Sequence, residues 1–459
     1  MRYPLPAEEI DPPLLRAAAN PDPDLLEAIL AADGKNDDTP SYEQWLITDL
    51  SLNGYSVRDL HGSISPRNAA HIYRYPIRSA TEGGFAENVG VLLAAGADPN
   101  GLEPAHLVDY SIRFIRGRRA RAMVEVRKEA GITDQVCPLT EAELRERRCW
   151  FPTFWTECNL PSQRRPLAPP LTALEIAAKE GNPEILDLLR AAGADESAWL
   201  QSAALNSCSV FSISDKNVPV SVLSTPSPVH EAVAAGHRSM LCHLLYTCEY
   251  SPNYRPHAAP TVALPPLSYA IARCNLKESG VQSCIVKLLS HPAVDINLRT
   301  PIFEVHLLHF ATAHHDPDLL TWLSRFVPGG LRAAGVTALG HTLLHIASLP
   351  LTVSQIISRS PPVVQKFVTA EEMAGKNPEP MTIYQQQVQL ATIRTLLDGG
   401  VTDVCAQDLD GNTCLHYLAG RLNMSEETVE LVRQSENGEK VWQETQNIWG
   451  FTPRELWGE

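Results

Sequence analysis

Long apolar runs are missing. No stretch of the 459 residues approaches eighteen consecutive apolar side chains, so no membrane-crossing helix is expected. Paired cysteines are missing too. The ten cysteines include no C-x-x-C and no compact cluster, which leaves neither a zinc-finger spacing nor a disulfide framework and points to reduced thiols. The opening residues, MRYPLPAEEIDPPLL, have no apolar core and turn acidic at once, so no secretory signal is expected. There is no G-x-x-x-x-G-K-[ST], no G-x-S-x-G and no G-x-G-x-x-G, so the sequence offers no phosphate-binding loop, nucleophile elbow or dinucleotide fold on which to build an enzyme. An intracellular protein, cytoplasmic or nuclear, without cofactor or catalytic constellation is the expectation.

What is present is enough apolar material to fold. Hydrophobic residues make up 44% and charged ones 20%, outside the range of a chain disordered by composition. The formal charge is −15, which argues against general affinity for nucleic-acid backbone or anionic membrane. That charge sits at the ends. Residues 1–50 carry 11 acids against 3 bases and residues 371–459 carry 15 against 6, leaving the middle nearly neutral.

One pattern recurs along the chain: a small or polar residue, an apolar pair often followed by His, then small residues, and a Gly or Asn before a second helix. Its clearest copies are TALEIAAKEGNPEILDLLRAAGAD (172–195), SPVHEAVAAGHRSMLCHLL (227–245) and GNTCLHYLAGRLN (411–423). Further copies begin near 75, 265, 306 and 340, with weak ones at 12–34 and 447–456. The recurrence resembles the ankyrin repeat family, whose signature runs D-x-x-G-x-T-P-L-H-x-A-A-x-x-G-H with a later L-L-x-x-G-A-D-x-N. The resemblance implies an all-α solenoid of helix-turn-helix units joined by short hairpin loops. Marker positions fall 63, 97, 55, 38, 41, 36, 71 and 39 residues apart, against roughly 33 for a plain unit. The long steps require three insertions. The domain organisation read from them is repeats over 1–101, an Arg-rich insertion over 102–168, and central repeats over 169–349. An insertion within a split repeat over 350–386 and C-terminal repeats with a cap over 387–459 complete it.

The residues fit this reading on physical grounds. Thr172, Ser227, Thr342 and Thr413 suit helix N-caps, and Pro228, Pro266 and Pro453 suit the first helical turn. Gly181 and Gly236 suit the end of a first helix, and Gly96 and Gly193 the end of a second. The pairs Ala177–Ala178 and Ala234–Ala235 would let neighbouring helices approach. Leu188–Leu189, Leu244–Leu245, Leu288–Leu289 and Leu396–Leu397 would line the second helices, and the 71-residue step would place the second helix of the split repeat near Gln387–Leu397.

Residues 113–128 hold seven bases and one acid. Arg116, Arg118, Arg119 and Arg121 there read as a nuclear-import signal or an anion-facing helix, or as a solvated face pairing with the acidic ends. No helix-turn-helix, zinc-finger or zipper pattern surrounds them, so specific nucleic-acid reading is not expected. Six of the fifteen histidines lie at 306–345, and His341 and His345 have the i, i+4 spacing of metal ligands. His309 and His345, however, fall on the His of the T-P-L-H signature, which in the resembled family bonds backbone and stiffens the loop. A structural role is expected for them, with no metal residues. Cys242, Cys248, Cys274 and Cys284 read as small buried hydrophobes.

The function implied is a non-enzymatic protein–protein interaction scaffold or intracellular regulator, such as a transcriptional co-regulator, whose partner is another protein. The alternatives are a ubiquitin-ligase substrate adaptor and an enzyme with a site formed by the insertions. LPAEEI at Leu5–Ile10 is similar to the opening of an F-box, although the residues after it are interrupted by Pro and Asp and read as an ankyrin-like cap.

Overall fold

The computed structural model describes residues 13–33, 55–56, 73–102, 171–200, 227–255, 264–300, 304–337, 340–349, 382–408, 410–420, 424–448 and 450–458. Arg116, Arg118, Arg119 and Arg121, the segment Leu5–Ile10, and nearly all of residues 102–168 and 350–386 lie outside the described residues. The chain divides into two compact units, the described residues up to Arg255 in the first and those from Leu264 in the second. Among the described residues no helix is long and apolar enough to cross a membrane.

Among the described residues the first unit has four helix pairs: α1 (Pro13–Ala18) and α2 (Pro23–Asp33), α3 (Pro76–Glu82) and α4 (Ala86–Ala94), α5 (Ala173–Glu180) and α6 (Pro183–Ala191), α7 (Pro228–Ala234) and α8 (Arg238–Tyr246). A short antiparallel pair, β1 (Tyr55–Ser56) with β2 (Tyr73–Arg74), precedes α3. The first helices stack in the order α1, α3, α5, α7, and α2, α4 and α6 form a second layer. Local sequence dictates each pair. The Thr172 hydroxyl accepts from the Glu175 N–H at 3.3 Å while the Glu175 carboxylate accepts from the Thr172 N–H at 2.7 Å, satisfying two donors at the start of α5. Gly181 ends α5 at φ +73°, where a Cβ would also meet the His237 ring at 2.9 Å. Asn182 then caps α6 by accepting from the Ile185 N–H at 3.1 Å. Asn88 of α4 donates its amide to the carbonyls of Ala18 (3.1 Å) and Asn20 (2.6 Å), closing the end of α1 from the neighbouring pair.

Ala177 and Ala178 are fully buried between the first helices, as their size suggests. The equivalent pair in α7 is not Ala234–Ala235. Five residues after the cap Ser227 comes Ala232, which is fully buried with Val233, while Ala234 is half-buried and Ala235 exposed at the helix end. Helical register measured from the cap, not smallness of the side chain, decides which residue faces the neighbour.

The second unit contains α9 (Pro266–Arg273), α10 (Ser279–Leu289), α11 (Leu307–Ala313), α12 (Pro317–Ser324), a 3-10 turn (Gly330–Ala334), α13 (Leu343–Ala347) and α14 (Ile383–Asp398). It ends with α15 (Cys414–Ala419), α16 (Glu426–Arg433), α17 (Gly438–Glu444) and α18 (Pro453–Trp457). The first helices stack as α9, α11, α13, α15, α18, and behind them α12 packs on α14 and α14 on α16. The short α13 packs on α14 across a sequence gap of more than thirty residues, so these two form one repeat pair. The Gln389 amide ties them by donating to the carbonyls of Ala347 (2.9 Å) and Leu349 (3.2 Å) at the end of α13. Helix α14 starts at Ile383, capped by Thr382, one turn before Gln387.

Candidate functional site

Three loops that precede first helices in the second unit repeat one geometry. Thr337, Asp408 and Asn447 each donate their N–H to the carbonyl four residues on, His341 (3.0 Å), Asn412 (2.9 Å) and Phe451 (3.0 Å). Gly340, Gly411 and Gly450 close each turn by donating back to those same residues, at φ between +72° and +81°. Glycine is needed at position 340 for a second reason, since a Cβ there would stand 2.9 Å from the Asp408 Cα. Large apolar side chains stand exposed on this edge: Val336 at 50%, Ile448 at 51% and Phe451 at 39%.

Beneath the loops lies a polar cluster. The Asp408 carboxylate accepts from the backbone N–H of Asp410 (2.8 Å) and of Asn412 (2.9 Å) through Oδ1. Its Oδ2 accepts from the Tyr417 hydroxyl and lies 3.5 Å from His341 Nε2. All of these residues are buried. Burial alone would push the Asp408 carboxyl up, but the bonds from His341 and Tyr417 and the neighbouring His345 hold it well below the usual carboxylate range. The same burial, with Asp408 beside it, raises the Tyr417 phenol well above its ordinary value. Enclosed in this way, the cluster fixes the turn rather than presenting reactive groups to solvent.

A third feature links one repeat to the next. His345 Nδ1 accepts from the Thr342 N–H at 3.1 Å, and its Nε2 reaches the Asn412 carbonyl at 3.0 Å, in the next hairpin loop. A carbonyl only accepts, so Nε2 carries the proton and the ring is neutral. His416 repeats this with the Thr413 N–H at 3.1 Å and the Phe451 carbonyl at 3.0 Å. His309 does so with the His306 N–H at 3.3 Å and the His341 carbonyl at 3.2 Å. Each ring therefore locks its own helix start and the last loop residue of the following repeat. Helix pairs stacked in two layers, hairpin loops turning on glycine and this relay of T-x-x-H rings decide the architecture.

This is the ankyrin-repeat fold.

No family model matches the chain, and no curated protein matches it. Solved structures similar to it include the human ASB11 ankyrin repeat domain, at 17% identity over 72% of this chain and 90% of that one, with a TM-score of 0.36. Another is the ankyrin repeat domain of Bcl-3, described as a unique member of the IkappaB protein family, at 12% identity over 93% of this chain and all of that one, with a TM-score of 0.31.

Within the ankyrin repeats the histidines split by role. Both ring nitrogens of His309, His345 and His416 are engaged by backbone, which leaves no lone pair for a metal. Burial lowers their proton affinity, to about 3 at His309 and about 4 at His345 and His416. His306 replaces the usual hydroxyl at the cap, accepting from the Leu308 N–H at 3.2 Å, and burial takes it to about 4. His314 bonds the Ile271 carbonyl at 2.6 Å. Asp408 and Tyr417 escaped sequence reasoning. Asp408 stands at the D of D-x-x-G-x-T, three residues before Gly411, and that register was the available signal.

Proposed function

We propose that the chain is a protein–protein interaction scaffold that grips its partner along the hairpin-loop edge and acts by binding rather than by catalysis. The observation that carries this reading is the exposure of Val336, Ile448 and Phe451 on loops whose backbones are held by the histidine relay. Apolar groups displayed on a pre-organised backbone lose little entropy on binding, the condition under which exposed aliphatic and aromatic side chains become anchors. The test is affinity capture from native extract with the tagged chain and with Val336→Asp/Ile448→Asp. Both side chains point to solvent, so the double variant should melt within a few degrees of the parent and lose at least about tenfold of the captured partner. Undiminished capture by the folded variant would remove the loop edge from the reading.

The finer role proposed is that of a regulator that enters the nucleus, a transcriptional co-regulator. It is supported by the seven bases of residues 113–128 within an acidic chain. Replacing Arg116, Arg118, Arg119 and Arg121 together with Ala should shift a fluorescently tagged chain to the cytoplasm, and an unchanged distribution would sink the import role.

A further inference from the structure

Helices α6 and α8 bring together three side chains of different ligand chemistry. Asp187 projects from the middle of α6, and His243 from the last turn of α8, where its Nε2 lies 2.9 Å from the Asp187 carboxylate. Cys248 follows α8. Its N–H returns to the His243 carbonyl at 3.0 Å, shared with the Thr247 N–H at 2.9 Å, so the chain curls back and sets the thiol under the imidazole. Glu249 next to it takes φ +58° to let the chain leave. The carboxylate oxygen, imidazole nitrogen and thiol sulfur all lie within 4.8 Å of one another, with Asp187 exposed, His243 half-buried and Cys248 buried.

We propose that Asp187, His243 and Cys248 form a zinc site that staples the last helix pair of the first unit to the pair before it. The donor set of one sulfur, one nitrogen and one oxygen suits a borderline-soft divalent ion, and the exposed side at Asp187 leaves room for a water as fourth ligand. The geometry needs little change. Bond lengths near 2.0 Å to nitrogen and oxygen and near 2.3 Å to sulfur place tetrahedral ligand atoms roughly 3.3 to 3.5 Å apart. The His243–Asp187 separation of 2.9 Å must open by about 0.4 Å, and the sulfur must close by at most about 1.3 Å, which side-chain rotation supplies.

The surroundings keep the sulfur a thiol until an ion arrives. Without it, burial pushes the Cys248 thiol up to about 11, partly opposed by the Arg190 guanidinium, so the metal must displace the sulfur's proton into solvent as the S–metal bond forms. Arg190 is held by Glu196 at 2.6 Å and lies 3.9 Å from the Asp187 carboxylate. Tyr250 donates its hydroxyl to Glu196 at 2.5 Å, completing an outer shell that orients the carboxylate side of the site. Sequence spacing hides the site, because Asp187 and His243 are 56 residues apart and residues 201–226 lie between their helix pairs.

The experiment loads the full chain, stripped with chelator, with cobalt(II) and then zinc(II). Cobalt should give one thiolate-to-metal charge-transfer band per chain, which zinc displaces, and zinc should raise the melting temperature. Cys248→Ser should abolish the band, and Asp187→Asn, at a solvent-exposed position, should weaken both metals at least about tenfold while keeping the parent circular dichroism. Should Cys248→Ser fail to fold, the Asp187→Asn result decides. No band in the parent chain, or a band and affinity unchanged in Asp187→Asn, would overturn the site.

Discussion

Lowering the pH from 7 to 5 should cost the second unit more stability than the first. His306, His309, His315, His345 and His416 are all buried in the second unit and all have folded-state values near 3 or 4 against an ordinary 6.5. A histidine with a depressed value stabilises the fold fully above 6.5, because there both states are neutral, and loses that contribution as the pH falls toward the folded value. Each such group costs about 2 kcal/mol between pH 6.5 and 5, since the unfolded chain takes up a proton that the folded one refuses. The five do not add as independent groups, because His306 lowers His309 and His416 lowers His345, but together they reach several kcal/mol, a large part of a domain's stability. One carboxyl of the first unit titrates the other way. Glu231, raised by burial to about 7 with Lys179 partly opposing, binds its proton more readily folded than unfolded, so acidification from 7 toward 4.5 favours that fold. Asp408, with its lowered value, adds a further loss to the second unit only below pH 4. Hydrogen exchange read peptide by peptide, corrected for the intrinsic rate, should show Leu307–Ala313, Leu343–Ala347 and Cys414–Ala419 losing protection at pH 5 while Ala173–Glu180 keeps it. Equal protection of all four segments would refute the histidine account.

The relay explains why His309, His345 and His416 are among the buried histidines of the second unit, and also which parts of the fold were legible in the sequence. Caps, first-turn prolines and closing glycines act over three or four residues. Thr172 with Glu175, Pro228, and Gly181 at φ +73° therefore stand where the local pattern puts them. His309 and His345 were legible in kind, because their position relative to the helix start is part of the resembled signature. Their acceptors were not. The carbonyls of His341, Asn412 and Phe451 are backbone groups with no side-chain signature, 32 to 67 residues from their donors. Gln389 is opaque for the same reason: nothing in IYQQQVQLATIRTLLD marks which glutamine reaches back over forty residues to the end of α13. The error at Ala234–Ala235 has a different origin, a register counted from the small residues instead of from Ser227. The exposure of Val336 and Ile448 follows from loop packing and could not be separated from core positions by hydrophobicity.

Replacing Asp408 with Ala should cost the second unit about 2–5 kcal/mol, because several buried donors lose their acceptor at once. The side chain is one short carboxylate, yet it accepts from the Asp410 and Asn412 N–H groups and from the Tyr417 hydroxyl, and it faces His341. Those donors come from its own turn, from α15 and from the preceding loop, so a single truncation loosens three elements at once. Each donor left short of its acceptor carries a desolvation penalty of about 1–3 kcal/mol. Two variants separate the contributions. Asp408→Asn keeps the volume and one accepting oxygen and should lose less than Ala, whereas Tyr417→Phe removes one donor together with its need and should lose less still. The double variant Asp408→Ala/Tyr417→Phe should be less destabilised than the two losses added, because the phenol no longer lacks its partner. Trp442, fully buried in the same unit, offers a fluorescence probe for urea unfolding of the parent and its four variants. An Asp408→Ala midpoint equal to the parent's would mean the turn is held by Gly411 and the His345 relay alone. A large, sub-additive loss would place the carboxylate at the junction on which the exposed loop edge depends.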